Sequence, residues 1–369
     1  MFDPLLLTGI EKHYPWGSRS FIQDLLGRTN DGPIAELWFG THPRGPAWVP
    51  SQNRDLQELT RDTEGMSQLP FLVKFLAADR PLSIQCHPDK IQAKAGYERE
   101  QAEGLSVTAK NRLYPDSSDK PEILIALTPF QALKGFRSSD ETQDLFRKWA
   151  PKAWKDISSD GATQTQESIL RKLLNSDRPY TAEIEQSTPK DPIADWLHEL
   201  SQHYPNDPLQ LAPLLLNYLD LQPGQAIFLP AKEPHAYLKG AGVEVMASSD
   251  NVLRCGLTQK HVDKDEMLSV IDFGPHSKKL VSTDKTDNGV LYRAPTDAFS
   301  VGSLILNQSA TSIPQYPNTS LLLCSSGTAK LKTSKEQIIV HQGQAALLPA
   351  LLKASISGPA TTWLVTSGK

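Results

Sequence analysis

The 369-residue chain has the composition of a soluble, β-rich protein with more than one domain. Hydrophobic residues make up 39% and charged residues 22% of it, and its 28 prolines favour many turns and strand ends over long helices. Its length favours about two or three domains. The 38 basic and 42 acidic residues are intermixed and give a formal net charge of −4, so the chain offers no basic field for nucleic acid and no polybasic membrane anchor. We therefore expect neither a nucleic acid nor a membrane as a partner.

The N-terminal region and the cysteines restrict the expected location and the metal chemistry. Residues 1–17 have no basic stretch and only a short apolar run, which predicts neither a signal peptide nor a spanning helix, so we expect a cytoplasmic protein. The three cysteines, Cys86, Cys255 and Cys324, form neither an even set nor a CxxC pair. Any metal is therefore expected to bind to histidine, carboxylate or amide groups.

The predicted elements fall into three successive regions. Up to about residue 135, short β segments alternate with turns and helices are the exception. The main predictions there are β segments at 36–40 and 71–76 and helices at 18–26 and 90–103. From residue 139 to 221 the apolar residues recur with a helical period, which predicts helices at 141–149, 164–174, 193–202 and 209–219. From residue 224 the alternation is that of strands, at 226–229, 236–238 and 242–246.

One internal repeat suggests that a β unit occurs twice. The segment GQAIFLPA at 224–231 recurs as GQAALLPA at 343–350, with six of eight positions identical. A glycine turn that leads into a short apolar strand ending at Pro-Ala fits the hairpin strands of jelly-roll or cupin barrels, although so short a match can also arise by chance. Eleven residues after the first glycine stands His235, and eleven after the second stands Ala354. We therefore expect a first barrel with a polar site and a second, degenerate structural barrel.

The first candidate metal ligands are Gln85 and His87. Their i, i+2 spacing in a strand places both side chains on one face. Neutral imidazole is a common zinc ligand, and an amide oxygen is an unusual one. The same spacing is also typical of a solvent-facing polar stripe, so the pair alone does not distinguish a metal site from an exposed strand face.

Two further candidates stand at the start of apolar strands. Glu122 lies between a polar turn and the apolar run at 123–127, where it is either a metal-binding carboxylate or an exposed strand-end charge. His235 follows a proline-bounded turn and is either a ligand or a structural histidine. Together with Gln85 and His87 they offer four nitrogen and oxygen ligands from three β segments, with room for water or substrate.

A series of long, ordered motifs runs through the same segments. They are YPWG at 14–17, AELWFGTHP at 35–43, KFL at 74–76, SIQCHPDK at 83–90, KPE at 120–122 followed by ALTPF at 126–130, and DNVLRCGLT at 250–258. These motifs resemble those of the type I mannose-6-phosphate isomerases over about residues 8–275. Cys255 and Gln259 stand where this family more usually has Ala and Pro, but neither removes a group that the chemistry needs. The helical region resembles the family only in position and character.

The resemblance implies a cupin-type enzyme that interconverts mannose 6-phosphate and fructose 6-phosphate through an enediolate, with one zinc ion per chain. Its zinc ligands would be the four residues already singled out, and its active-site basic residues would be Lys120 and Arg254. A small-molecule sugar phosphate would be its partner, and we expect a monomer.

Combined with the element pattern, the resemblance predicts a mainly β fold with an inserted α-helical domain and two cupin or jelly-roll-type β-barrels. The predicted domains are a catalytic cupin domain at 1–138 and 222–275, a helical domain at 139–221 and a degenerate cupin-like β domain at 276–369.

Further site residues follow from what isomerisation requires. A proton must move between C2 and C1, which needs a base beside the metal. Glu244, on an otherwise apolar strand, is our candidate because burial would raise its pKa, and an outward-facing Glu on an edge strand is the alternative. Lys90 and Lys260 are candidate phosphate contacts and Trp16 is a candidate pocket wall. Ordinary surface lysines and a core aromatic residue are the alternatives for these three.

Two other functions would use some of the same candidate residues. A cupin oxygenase needs two histidines and one carboxylate, which His87, Glu122 and His235 could supply. A sugar-binding or storage cupin would not need a base and two cations beside the ligands. Guanylyl transfer, which some relatives join to isomerisation, is not expected because the sequence has no G-x-G-rich nucleotide-binding region.

Overall fold

The structure, a computed structural model of the chain, describes residues 2–29, 32–176, 180–183 and 190–368. Within these residues the fold is mainly β, as predicted, with a helical region between two groups of strands. The described strands are β1 (Leu5–Thr8), β2 (Ile10–Lys12), β3 (Glu36–Phe39), β4 (Trp48–Val49), β5 (Arg54–Asp55), β6 (Phe71–Ala78), β7 (Ile84–Cys86), β8 (Glu122–Ala126), β9 (Phe130–Phe136), β10 (Leu216–Leu221), β11 (Ala226–Leu229), β12 (His235–Ala247), β13 (Leu253–Gly256), β14 (Thr283–Thr286), β15 (Gly289–Tyr292), β16 (Ser300–Leu306), β17 (Thr311–Ser312), β18 (Ser320–Lys332), β19 (Gln337–His341), β20 (Gln344–Leu348), β21 (Ser355–Ser357) and β22 (Ala360–Thr366). The described helices are α1 (Phe21–Leu25), α2 (Leu56–Asp62), α3 (Lys90–Ala102), α4 (Ser139–Trp149), α5 (Pro151–Ile157), α6 (Gln166–Leu174), α7 (Pro192–His203), α8 (Ala212–Leu215) and α9 (Lys264–Val270), and short 3₁₀ turns lie at Pro50–Gln52 and Pro208–Leu211.

The strands form two large antiparallel sheets. The first, of ten strands, follows the order β10, β9, β12, β6, β3 and β2, with β7, β8, β11 and β13 paired beside this path. The second, of twelve strands, follows the order β14, β15, β16, β22, β18, β20, β1, β4 and β5, with β17, β19 and β21 beside it. Among the described strands, neither path returns to its first strand. Because β1 pairs with β20, the beginning of the chain completes the sheet formed by its C-terminal part.

Alternating side chains in the first sheet separate a packed interface from a polar inner face. Along β12, Val243 and Val245 belong to the apolar cluster between the two sheets, which also contains Leu321 and Leu323 of β18. Burying each such side chain contributes about 1.5 to 3 kcal/mol. Glu244 points to the opposite face, because successive side chains of a strand alternate. The alternation that stabilises the sheet contact therefore also turns a carboxylate toward the inner face of the ten-stranded sheet.

The helical region, α4 to α8, packs on the outer face of strands that lead to the candidate site. Its apolar core is continuous with Ile84 and Cys86 of β7 and Cys255 of β13. The three helices predicted within 141–202 are present as α4, α6 and α7. The longest described helix, α3, has 13 residues, whereas a bilayer span needs about 20, and none of the described helices is long and apolar enough to cross a membrane.

The helix predicted over 209–219 is wrong from residue 216 onward. Helix α8 ends at Leu215, and the residues that follow form β10, which pairs with β9. The apolar residues of this segment fit both a helical and a strand period, so the pairing with β9 decides rather than the local pattern. Asn217 supports the pairing, because its side-chain amide donates to the carbonyl oxygen of Phe136.

The internal repeat has the same local conformation in both copies. Gly224 and Gly343 have positive φ angles of 86° and 76°, and each leads into a short strand, β11 or β20. Eight residues after each glycine the backbone is again left-handed, at Lys232 with φ 71° and at Leu351 with φ 54°. The shared sequence of turn, strand and second turn supports the repeat that the sequence predicts.

Candidate metal centre and its cleft

Three strands bring two histidines and a glutamate together in the interior. His87 directly follows β7, Glu122 begins β8 and His235 begins β12. One possible ligand atom from each lies within 4.8 Å of the others, and all three residues are buried. Nε2 of His87 lies 3.5 Å, and Nε2 of His235 3.6 Å, from Oε2 of Glu122. Three of the four predicted ligand candidates thus converge on one point.

The two imidazoles turn their Nε2 atoms toward this point. Nδ1 of His87 lies 2.8 Å from the carbonyl oxygen of Asn251, and Nδ1 of His235 lies 3.0 Å from that of Glu233. A carbonyl oxygen can only accept, so each Nδ1 carries a proton, and Nε2 is the nitrogen that each ring turns toward Glu122. Burial and the neighbouring His87 lower the pKa of His235 to about 4, which keeps its ring neutral near pH 7.

A metal cation fits between these groups. Nε2 of His87 is buried and has no hydrogen-bond partner among the described residues. A lone pair that faces a carboxylate oxygen with no proton between them is unfavourable unless a positive charge is present. Burial acts to raise the pKa of Glu122, but Lys120, whose Nζ lies 3.1 Å from Oε1, and the imidazoles of His87 and His235 hold that pKa well below its usual range. Two imidazoles and an ionised carboxylate match the ligand preference of zinc.

The loop that accepts the proton of His87 is itself fixed by hydrogen bonds. The fully buried side chain of Asn251 donates to the carbonyl oxygens of Asp116 at 2.8 Å and Ser118 at 2.7 Å. Partners of this kind set the orientation of a metal-binding imidazole. The Asn251 loop therefore holds the ring of His87 with Nε2 toward Glu122.

Strand register places Gln85 and Arg254 beside this cluster. Gln85 is paired with His235 across β7 and β12, and with Arg254 across β7 and β13. Directly opposite residues of antiparallel strands share a face, with Cβ atoms about 5 Å apart. Gln85 is therefore next to His235, where its amide oxygen could add a fourth ligand, and Arg254 lies one strand further along the same face.

The cluster opens into a cleft of about 610 Å³. Most of the predicted site residues belong to its described lining, which includes Trp16, Gln85, Lys120, Glu122, His235, Glu244, Arg254 and Lys260. The structure does not bring Lys90 together with them. It is the first residue of α3, its side chain is exposed, and it is not part of the described lining.

Glu244 lies in a buried polar network on the inner face of the first sheet. Its carboxylate accepts from Nζ of Lys74 at 2.7 Å and from the hydroxyl of Tyr237 at 2.8 Å, and the same Nζ lies 3.3 Å from Glu36. Burial acts to lower the pKa of Lys74, but the two carboxylates outweigh burial and raise it. Burial raises the pKa of Glu244, because one ammonium group shared between two carboxylates offsets their desolvation only in part.

Sequence reasoning misses several residues of the cleft. Lys74 and Glu36 are each the single charged residue of an apolar strand, β6 or β3, and that pattern would have identified them. His203 and Tyr204, at the end of α7, also line the cleft, and the Tyr204 hydroxyl donates to the carbonyl oxygen of Pro81 at 2.9 Å. The helical region thus forms part of the cleft wall, which no local sequence pattern indicates.

The mainly β fold and the buried His-Glu-His cluster at the bottom of a cleft define a β protein with a site suited to a metal ion. Comparison with known proteins gives its family. Residues 5–139 match the family Phosphomannose isomerase type I, catalytic domain. The mannose-6-phosphate isomerase of Salmonella typhimurium is 33% identical over 367 residues, covering 92% of this chain and 93% of that protein. The one of Homo sapiens is 33% identical over 392 residues, covering 90% of both. This chain belongs to the mannose-6-phosphate isomerase family.

Solved structures of the family share the whole fold. A mannose 6-phosphate isomerase bound with zinc and yttrium matches with a TM-score of 0.89 at 30% identity, covering 100% of both chains. The Salmonella typhimurium enzyme bound to its substrate fructose 6-phosphate and to zinc matches with the same TM-score, identity and coverage, 0.89, 30% and 100%. The likeness therefore extends over the helical region and the C-terminal sheet as well as the cleft. The predictions of this family and of an isomerase are confirmed.

Proposed function

We propose that this chain interconverts mannose 6-phosphate and fructose 6-phosphate through an enediolate, with one zinc ion per chain held by Gln85, His87, Glu122 and His235. The main observation in favour is that the buried Nε2 atoms of His87 and His235 face the carboxylate of Glu122 at 3.5 and 3.6 Å. Zinc-bound relatives, and a relative bound to fructose 6-phosphate, support the choice of metal and substrate.

The cleft offers positive charge for an anionic substrate. Arg254 and Lys260 line it, and neither forms an ion pair with any residue that the structure describes. Arg254 presents a rigid fork of donors that suits a phosphate, whereas Lys120 is a point charge already paired with Glu122. We assign the phosphate to Arg254 and Lys260, and the reacting end of the sugar to the side of Lys120. Zinc bound at the cluster would supply a Lewis acid for the negative charge on the C1 and C2 oxygens.

We assign the proton transfer between C2 and C1 to Glu244. Its carboxylate lines the cleft, and burial raises its pKa, which makes it a stronger base than a free carboxylate. Lys74 and Tyr237 each bind one of its two oxygens and so fix its orientation. A base held in this way on one face of the sugar can serve both carbons.

Glu244→Gln is expected to lower kcat about a hundredfold near pH 7, since general base catalysis contributes about 10² to 10⁴ in rate. In the wild type, kcat/KM falls as the pH is lowered through the pKa of the free base. Because burial raises the pKa of Glu244 above its ordinary value of 4.5, this acid limb lies above pH 4.5. The variant loses the limb because glutamine does not titrate. Steady-state rates across the pH range, with the zinc content of each protein, measure both effects.

Glu266→Gln is the matched control for this substitution. Glu266 is a partly buried glutamate paired with Arg99 at 2.9 Å and is not part of the described cleft lining. We expect this variant to keep both the rate and the acid limb. An acid limb that survives in Glu244→Gln would assign the base to another residue.

The proposed reaction is tested by assaying the purified protein for conversion of mannose 6-phosphate to fructose 6-phosphate before and after chelation. We expect activity that falls at least about tenfold with the chelator and returns when zinc is added. Magnesium added in place of zinc serves as the control for the metal. Folded, zinc-loaded protein without conversion would contradict the proposal, and oxygen consumption or sugar binding without turnover would then favour the oxygenase or the storage protein.

We also propose that each sheet is a cupin or jelly-roll-type barrel. Domain boundaries would be 1–138 with 222–275 for the catalytic cupin, 139–221 for the inserted helical domain and 276–369 for the degenerate cupin-like domain. The repeated turn-strand-turn conformation and the separate apolar interiors of the two sheets support this division, with β1, β4 and β5 as strands of the first segment that lie in the second sheet. A monomeric chain and a cytoplasmic location complete the proposal.

A further inference from the structure

The end of the helical region is joined to the loop after β13 by one carboxylate. Oδ2 of Asp207 accepts from the backbone N–H of Leu257 at 2.6 Å and of Thr258 at 3.4 Å. Its other oxygen, Oδ1, accepts from the backbone N–H of Leu209 at 2.8 Å and so caps the 3₁₀ turn at Pro208–Leu211. A single side chain therefore ties together two segments that are about 50 residues apart in the sequence.

The loop that Asp207 holds has a backbone conformation that needs external support. Leu257 has a positive φ of 53°, in the left-handed region that non-glycine residues rarely adopt. The register between β7 and β13 also shifts between Arg254 and Gly256, immediately before this residue. Hydrogen bonds from two successive N–H groups to one carboxylate are the kind of contact that keeps such a conformation in place.

Packing and a further hydrogen bond reinforce this junction. A Cβ atom on Gly256 would lie 2.8 Å from Cδ1 of Leu209, so the 3₁₀ turn lies directly against the end of β13. The same stretch of chain also contacts the segment before β7, where the Tyr204 hydroxyl donates to the carbonyl oxygen of Pro81. Because β7 pairs with β13, the end of the helical region holds two neighbouring segments of the cleft lining, the one before β7 and the one after β13.

The loop fixed by Asp207 presents cations to the cleft. Leu257, Thr258, Gln259 and Lys260 all line it, as does Arg254 just before them. Burial and the nearby Arg44 lower the pKa of Arg254, and burial and Arg254 lower that of Lys260. These two cations therefore repel each other, and their approach costs free energy unless the backbone holds them or an anion binds between them.

We propose that Asp207 is a positioning residue that holds the loop at 257–260 so that Lys260 and Arg254 together receive the phosphate group of the substrate. This inference rests on the proposed function, because it takes the substrate to be a sugar phosphate. Asp207 does not touch the substrate; it acts through the backbone of Leu257 and Thr258. The helical region is thereby part of the phosphate-binding apparatus and not only a brace for the sheet.

The test compares Asp207→Ala and Asp207→Asn with the wild type in the zinc-loaded protein. We expect Asp207→Ala to raise the KM for mannose 6-phosphate and the inhibition constant of inorganic phosphate about tenfold each, since hydrogen bonds to a charged group are worth about a factor of ten or more. The kcat and the zinc content are expected to stay within about twofold, because the metal cluster and Glu244 do not contact Asp207. Asp207→Asn, with one acceptor oxygen in place of two, is expected to give a smaller rise.

Asp191→Ala is the matched control. Asp191 caps α7 from the same helical region, accepting from the N–H of Ile193 at 2.9 Å, and is not part of the described cleft lining. Its loss therefore reproduces the loss of a helix cap without touching the loop at 257–260, and neither the KM nor the phosphate inhibition should change.

The outcomes distinguish the positioning role of Asp207 from the proposed isomerase function. If the wild type isomerises the sugar phosphate but Asp207→Ala and Asp207→Asn keep the wild-type KM and phosphate inhibition, the positioning role is overturned and the isomerase stands. If the kcat falls while the KM and the inhibition constant of phosphate stay the same, the positioning role is also overturned. If Asp207→Ala does not fold, Asp207→Asn decides by the same two constants. If the wild type shows no isomerase activity, calorimetric binding of inorganic phosphate decides: weaker binding to the Asp207 variants than to Asp191→Ala supports the positioning role even though the reaction is not the proposed one.

Discussion

Glu122→Gln is expected to lower the isomerase activity at least about 1000-fold even with zinc added, because it removes the only carboxylate of the described His-Glu-His cluster. The substitution keeps the size of the side chain but removes the negative charge that balances a cation between His87 and His235. It also leaves Lys120, now 3.1 Å from Oε1 of Glu122, without this partner in a buried position. We expect the purified variant to contain less than about a tenth of the wild-type zinc, since ligand loss weakens binding more than loss of a ligand's partner does. Metal analysis and isomerase assays at saturating zinc measure the two effects.

Glu100→Gln separates loss of the site from loss of a buried carboxylate in general. Glu100 is buried and accepts from the backbone N–H groups of Leu113 and Tyr114, each at 2.9 Å, away from the cleft. This variant is expected to be less stable but to keep its zinc and its kcat. If Glu122→Gln retained both zinc and activity, Glu122 would not be a metal ligand and the proposed site would be wrong.

The candidate ligands could be predicted because each stands where a polar residue interrupts an apolar pattern. Gln85 in β7 and His87 directly after it have the i, i+2 spacing of one strand face, and Glu122 and His235 stand at the first positions of β8 and β12. What the sequence does not contain is the pairing of the strands. β12 pairs at its start with β7, where His235 lies opposite Gln85, and near its end with β8, where Met246 lies opposite Glu122, so the cluster depends on contacts between segments far apart in the chain.

Contacts between residues far apart in the chain could not be predicted from the sequence, even where the residues themselves could be singled out. Lys74 and Glu244 are 170 positions apart, and nothing local to either residue indicates their ion pair. The same holds for Tyr204, whose role in the cleft wall depends on how α7 packs against the sheet. At residues 216–219 the local pattern predicted a helix, and the edge of β9 made it a strand, because tertiary pairing outweighs a weak local preference.

Arg254→Ala is expected to lower kcat/KM for mannose 6-phosphate about 1000-fold while leaving the zinc content unchanged. A positioned cation that faces substrate charge contributes about 10² to 10³ in rate, and it contributes more when it also binds the phosphate. Arg254 is half-buried, lies on the same face as Gln85 and lines the cleft. It forms no ion pair with any described residue, so its guanidinium group is available to the substrate. Steady-state kinetics and metal analysis on the same preparations measure the effect.

Arg254→Lys and Arg99→Ala are the control variants for Arg254→Ala. Lysine keeps the charge but not the planar fork of donors, so Arg254→Lys should recover only part of the loss if the geometry of a bidentate contact matters. Arg99 is paired with Glu266 at 2.9 Å outside the described cleft lining, so removing it tests the loss of an arginine without loss of a cleft cation, and we expect wild-type kinetics. If kcat/KM of Arg254→Ala stayed within about tenfold of the wild-type value, the phosphate would bind elsewhere in the cleft. If the variant lost zinc together with activity, Arg254 would instead support the metal cluster through its pairing with Gln85. Activity lost with zinc retained is the combination expected only if the cleft both binds the metal and acts on a sugar phosphate.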